Sequence, residues 1–119
     1  KILLLDEPTK GLDPHFKTIF AGILMELKTK GVTIIMVTHD IEFCAEYADI
    51  CAMFFDGDIV SMDTPRNFFS QNSFYTTGAN RMSRHLFDDA ITYEDVILLC
   101  RKNLMDTIEQ EEREPLSLP

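Results

Sequence analysis

Two adjacent carboxylates stand directly after an apolar run in Leu3-Leu4-Leu5-Asp6-Glu7. Neighbouring residues at the mouth of a strand project in different directions, so one acid can hold a cation while the other faces a water. Phosphoryl transfer requires both tasks: a hard oxygen ligand for the Mg²⁺ that bridges nucleotide phosphates, and a group that orients or deprotonates the attacking water. Asp6 suits the first task and Glu7 the second. A second polar cluster, Thr38-His39-Asp40, closes the run Val32-Thr33-Ile34-Ile35-Met36-Val37. A histidine there can bond a terminal phosphate oxygen through one ring nitrogen while a neighbour holds the other. Each feature also has an ordinary structural explanation, as strand-end acids before a turn and as a loop histidine.

The elements that would position these groups follow from local pattern. Ile2 to Leu5 reads as a buried strand, which Pro8 closes because its ring cannot continue a central ladder. Asp13 followed by Pro14 is an N-cap with proline at the first helical position. Phe16, Ile19, Phe20, Ile23, Leu24 and Leu27 then keep helical spacing until Gly31 supplies a stop. Residues 32–37 are β-branched, apolar and too short for a helix, and so read as a second buried strand. Strand, helix and strand in that order predict parallel strands, which brings both polar clusters to the carboxyl edge, where open α/β sheets bind ligands. A helix from Ile41 to about Ala48 should lead into a hairpin around Asp56-Gly57-Asp58. Thr64-Pro65 opens a short helix through Phe69. Beyond it the sequence predicts a polar turn over 71–78, a short helix around Ala79 to Leu86, and a helix capped by Thr92 and ending near Asn103. The charged stretch from Glu109 onward reads as a disordered tail.

Composition narrows the class. Twenty Asp and Glu against eleven Lys and Arg give a net charge of -9. With no basic stripe interleaved with aromatics, a nucleic-acid surface is not expected. Cys44, Cys51 and Cys100 are widely spaced, with no C-x-x-C, so neither a disulfide framework nor a zinc site is indicated; they read as small buried hydrophobes in a reducing cytosol. The Met and Phe residues at 53–55 and 68–69 read as core, His15 and His85 as surface, and Arg81 and Arg84 as a solvated helix face. No apolar run approaches the roughly 20 residues that cross a bilayer, so a membrane link would run through a partner. Opening on Lys1-Ile2-Leu3, without a polar lead-in, the chain looks cut at a strand whose neighbours would come from upstream.

Taken together, Leu3-Leu4-Leu5-Asp6-Glu7-Pro8-Thr9, then Gly11-Leu12-Asp13, then Val37-Thr38-His39-Asp40 resemble the Walker B segment, D-loop and switch histidine of ABC-type ATPases. They occur in that order, with Asp6 and His39 33 positions apart. The resemblance implies that Asp6 is the magnesium carboxylate, Glu7 the catalytic glutamate, Asp13 the D-loop aspartate that communicates across a dimer, and His39 the γ-phosphate switch. It leaves the helix-capping explanation of Asp13 standing beside the D-loop one. Met53-Phe54-Phe55-Asp56-Gly57-Asp58-Ile59-Val60 and Asp63-Thr64-Pro65 are similar to the end of importer-type subunits. Ser73-Phe74-Tyr75-Thr76-Thr77-Gly78-Ala79-Asn80-Arg81-Met82 is like the C-terminal extension of energy-coupling-factor ATPases, which serve vitamin and cobalt or nickel uptake.

The expectation is therefore an α/β fold, part of a P-loop NTPase parallel sheet with flanking helices. Residues 1–70 would form the C-terminal half of an ABC ATPase domain, 71–108 a C-terminal extension and 109–119 an acidic disordered tail. By resemblance the parent binds ATP and Mg²⁺ and hydrolyses ATP at sites shared between two such domains, as a homo- or heterodimer. It would drive transmembrane transporter subunits from the cytoplasmic face of the membrane, importing a small nutrient, vitamin or metal ion that other subunits select. A phosphate cradle needs G-x-x-x-x-G-K-[ST], and the five glycines, Gly11, Gly22, Gly31, Gly57 and Gly78, include no pair five apart. The family's Gly-Gly signature loop and glutamine loop are missing from these residues too, so the fragment alone should not hydrolyse ATP. Two rivals remain: an ABC-type ATPase of chromosome, repair or ribosome function, and a non-enzymatic dimerisation or regulatory module.

Overall fold

In the computed structural model, residues 1–113 are described. Strand β1 (Ile2–Asp6), helix α1 (Pro14–Thr29) and strand β2 (Thr33–Val37) form the expected βαβ unit. The strands are direct neighbours and parallel, with Ile2 opposite Thr33 and Asp6 opposite Val37. This register brings their carboxyl ends level.

Strand alternation divides the sheet into two unlike faces. Leu3, Leu5, Ile34 and Met36 pack with Phe20, Ala21 and Leu24 of α1 and with Phe43 and Tyr47 of α2 (Ile41–Tyr47). Three tilted rings fill this layer, with Phe43 4.8 Å from Tyr47 and 6.0 Å from Phe20 between centroids. Burying one such Leu or Phe contributes about 1.5–3 kcal/mol. On the opposite face Ile2, Leu4, Ile35 and Val37 are 69%, 70%, 52% and 62% exposed. Both faces are apolar, as the sequence implies for a central parallel sheet, yet the described residues cover only one of them.

Helix α2 joins two cores. While Phe43 and Tyr47 face the parallel strands, Ile41, Cys44, Ala45 and Ala48 pack with Cys51, Phe68, Phe69 and Ile91. Strands β3 (Cys51–Phe55) and β4 (Asp58–Asp63) form an antiparallel hairpin with a register shift at Met53/Phe54. Asp56 and Gly57 both have positive φ, 50° and 83°, the backbone that a tight type I′ turn demands.

Helix α3 (Pro65–Gln71) is followed by α4 (Gly78–Ser83) and α5 (Tyr93–Arg113). The turn between α3 and α4 and the loop after α4 close around Asn80, which is fully buried. Its amide donates to the carbonyls of Asp88 and Ala90, and its carbonyl accepts from Thr76 and Arg84.

Several expectations need correction. Helix α5 continues ten residues past Asn103, through the acidic stretch read as disordered up to Arg113; an Arg113–Glu109 pair at 3.8 Å spans its last turn. Helical i,i+4 pairing offsets part of the charge repulsion that motivated the disorder reading. The remainder of that tail, 114–119, lies outside the described residues. Phe69 is buried as expected, but Phe54 and Phe55 are 72% and 68% exposed, since the hairpin offers one short ladder and no covering layer. Arg84 is not simply solvated: it bonds Asn80 and the carbonyl of Asn72. Of the cysteines only Cys51 is buried, with Cys44 intermediate and Cys100 exposed.

Candidate functional site at the paired strand ends

Because β1 and β2 are parallel neighbours, their two polar clusters meet. Glu7 leaves β1 in the left-handed region, φ 45°, uncommon for a residue with a side chain and costing on the order of 1 kcal/mol or more. Its amide still donates to the Val37 carbonyl at 2.8 Å, so the departure is anchored to the tip of β2. The Glu7 carboxylate consequently crosses to the second strand. One oxygen contacts His39 Nδ1, and the other accepts from Thr38 Oγ1 at 3.3 Å and from the His39 amide at 3.4 Å. The His39 side chain, 96% exposed, has its other ring nitrogen free for an outside partner. An imidazolium donates from both nitrogens, so this ring can serve a carboxylate and a phosphate oxygen together.

Hydrogen bonding from the His39 side chain is the main reason the Glu7 carboxyl sits below the ordinary carboxylate range, against an opposing push from burial. Glu7 is therefore ionised at neutral pH, as a group that orients water must be.

Asp6 projects to the uncovered face of the sheet with Leu4 and is exposed. Among the described residues no set of three or more His, Cys, Asp or Glu is arranged to hold a metal. Mg²⁺ bound with nucleotide phosphates takes one or two carboxylates plus substrate oxygens and waters. Asp6 is the residue that could hold such an ion, whose contribution would be to neutralise phosphate charge.

Asp13 takes the capping role: its Oδ1 accepts from the Phe16 amide at 2.9 Å, with Pro14 at the first helical position. It is not drawn into the Glu7–His39 contact.

Two participants carry no assigned task in the sequence pattern: Thr38, which belongs to the second polar cluster, and Lys17. Thr38 links the strands, donating to Glu7 and accepting from the Asp40 amide at 3.0 Å. Lys17 bonds Asp40 Oδ2 at 2.5 Å. The Thr-x-Asp spacing is a recognisable side-chain turn. Nothing in the local pattern pairs Lys17 with a residue 23 positions away. Nearby thiols do not compete for a chemical role: burial pushes Cys44 up to about 11 and Cys51 to about 12, so both stay protonated at neutral pH.

Comparison with known proteins places these features among relatives. Residues 1–45, which span β1, α1, β2 and the paired tips, match a family model described as "AAA domain, putative AbiEii toxin, Type IV TA system". A Bacillus anthracis protein named "Putative ABC transporter ATP-binding protein" is 49% identical over 104 residues, covering 87% of this chain and 19% of that protein. The energy-coupling factor transporter ATP-binding protein EcfA of Methanocaldococcus jannaschii is 41% identical over 70 residues, 59% of this chain and 25% of its own length. Among solved structures, CbiO1 of Clostridium perfringens, part of the ABC transporter complex CbiONQ, superposes with a TM-score of 0.56 at 31% identity, over 73% of this chain and 33% of that one. The chain thus spans about a fifth of the length of the first of these relatives.

Proposed function

We propose that this chain, homologous to a segment of ABC transporter ATP-binding proteins and folded like part of one, supplies the metal-and-water half of an ATP-hydrolysing site. The observation that carries the reading is the contact between Glu7 and His39 across the level ends of β1 and β2. In this account Asp6 holds Mg²⁺ on the nucleotide phosphates, Glu7 orients the attacking water, and the free nitrogen of His39 meets the terminal phosphate. Asp13 caps α1 and faces a second ATPase domain.

The G-x-x-x-x-G-K-[ST] cradle is not among these 119 residues, so ATP binding and turnover belong to the longer protein that carries it, as a homo- or heterodimer. Hydrolysis would drive transmembrane subunits from the cytoplasmic face of a membrane. Similarity to EcfA and CbiO1 favours import of a small nutrient, a vitamin or metal ion chosen by other subunits. No helix among the described residues is long and apolar enough to cross a membrane, which fits attachment through partners.

Substituting Glu7→Gln in the full-length ATPase tests the assignment. Nucleotide affinity should stay within about threefold of native while turnover drops by roughly a thousandfold, the scale of losing a group that acts only in the transition state. A Gln variant turning over at the native rate would remove Glu7 from its role. The 119-residue chain alone should show no Mg²⁺-dependent ATP hydrolysis; turnover abolished by Glu7→Gln in that chain would contradict the reliance on a separate phosphate cradle.

A further inference from the structure

We propose that Lys17 is a positioning residue for His39, clamping Asp40 and through it the turn that aims the imidazole at Glu7. The inference deepens the ATPase reading above and rests on it for its kinetic consequence. A continuous path of bonds carries it. Lys17 Nζ on α1 meets Asp40 Oδ2 at 2.5 Å, and the other Asp40 oxygen accepts from the Phe43 amide at 3.1 Å, capping α2. The Asp40 amide donates to Thr38 Oγ1 at 3.0 Å, and that hydroxyl donates to Glu7 Oε2 at 3.3 Å. His39 lies between Thr38 and Asp40, so both of its neighbours are fixed by side-chain bonds.

An exposed ion pair would carry no such argument, because most contribute little. This one is different in setting: the Asp40 side chain is only 15% exposed and that of Lys17 33%. Burial pushes the Asp40 carboxyl up, yet bonds from Lys17 and the Phe43 amide overcome it and hold the group below its ordinary value. The Asp40 carboxylate thus ties α1 to the start of α2, and its backbone amide ties the same residue to Thr38 at the strand tip. Removing the ammonium leaves Asp40 half-buried and short of a partner, free to turn outward and release the Thr38–His39 turn.

The test is nuclear magnetic resonance on the 119-residue chain, comparing native protein with Lys17→Met and Lys17→Arg. Long-range ¹⁵N correlations report the His39 ring tautomer, and amide exchange reports the Phe43 cap. Lys17→Met should shift the His39 ring from one dominant tautomer to a mixture and lower Phe43 amide protection about tenfold, with Lys17→Arg restoring both. Native His39 and Phe43 signals in a folded Lys17→Met chain would overturn the proposal. Should Lys17→Met fail to fold, Lys17→Gln, whose shorter, uncharged side chain lacks the ammonium, is read by the same criteria. In the full-length ATPase, Lys17→Met should lower kcat roughly 10- to 100-fold with little change in KM, the signature of lost alignment. Since the resonance measurement needs no turnover, failure of the ATPase reading and failure of the clamp are separately visible.

Discussion

At the scale of single residues, the site is a carboxylate that leaves its own strand to bind the next. Glu7 reaches Thr38 and His39 because its backbone takes a left-handed turn while its amide stays on β2. Its depressed carboxyl pKa has a consequence of definite sign. A group held below its unfolded value stabilises the fold above the unfolded pKa, near 4.5 for Glu, and that contribution disappears as pH falls through the folded value. Native protein should therefore be more stable than Glu7→Gln at pH 7, with the difference closing below about pH 4 in urea titrations; a pH-independent difference would deny the ionic character of the contact. The placement of these residues at two neighbouring strand ends is legible in the sequence, because the βαβ pattern brings both polar clusters to one edge. The direct Glu7–His39 contact is not, because it depends on a positive φ that no residue type at position 7 announces.

Elements governed by short-range rules are legible in the sequence. The α1 cap, the Asp-Gly turn and the Thr92 start of α5 follow from capping and turn chemistry, and each is present. At the last of these, Asp95 accepts from the amides of Ile91 and Thr92 while Thr92 Oγ1 accepts from the Asp95 amide, a reciprocal capping box. Asp95→Ala should lower stability by about 1 kcal/mol at neutral pH, measured by denaturant unfolding, and a neutral result would show that α5 does not depend on this box. Asn80→Ala should be costlier, about 2–4 kcal/mol, because it strips partners from the buried Ala90 carbonyl, the part-buried Asp88 carbonyl and Arg84. The hub around Asn80 is only partly legible in sequence: Thr76 and Arg84 stand four residues to either side of it, but its other partners are backbone carbonyls eight and ten residues away, which leave no side-chain pattern. The far end of α5 was misjudged for a related reason, since net charge suggested disorder while i,i+4 pairing favours helix.

Across the whole molecule, the uneven covering of the parallel sheet matters most. One face is packed beneath α1 and α2; the other presents Ile2, Leu4, Ile35 and Val37 beside Asp6. Leu4→Ser on the open face should change the stability of this chain by no more than about 0.5 kcal/mol, whereas Leu24→Ala, in the packed layer, should cost about 2–4 kcal/mol. Equal penalties in urea unfolding would mean that the open face is covered in solution. That both faces of β1 and β2 are apolar is legible in the sequence; which face these residues themselves cover depends on the path of α2. The central claim is that the two strand tips serve one nucleotide, and a double-mutant cycle tests it most directly. ATP turnover of the full-length protein is measured with Glu7→Gln, His39→Ala and both together. If the residues act as one unit on the same phosphate, the double variant is no slower than the worse single variant; losses that multiply independently, or native turnover with His39→Ala, would contradict the account.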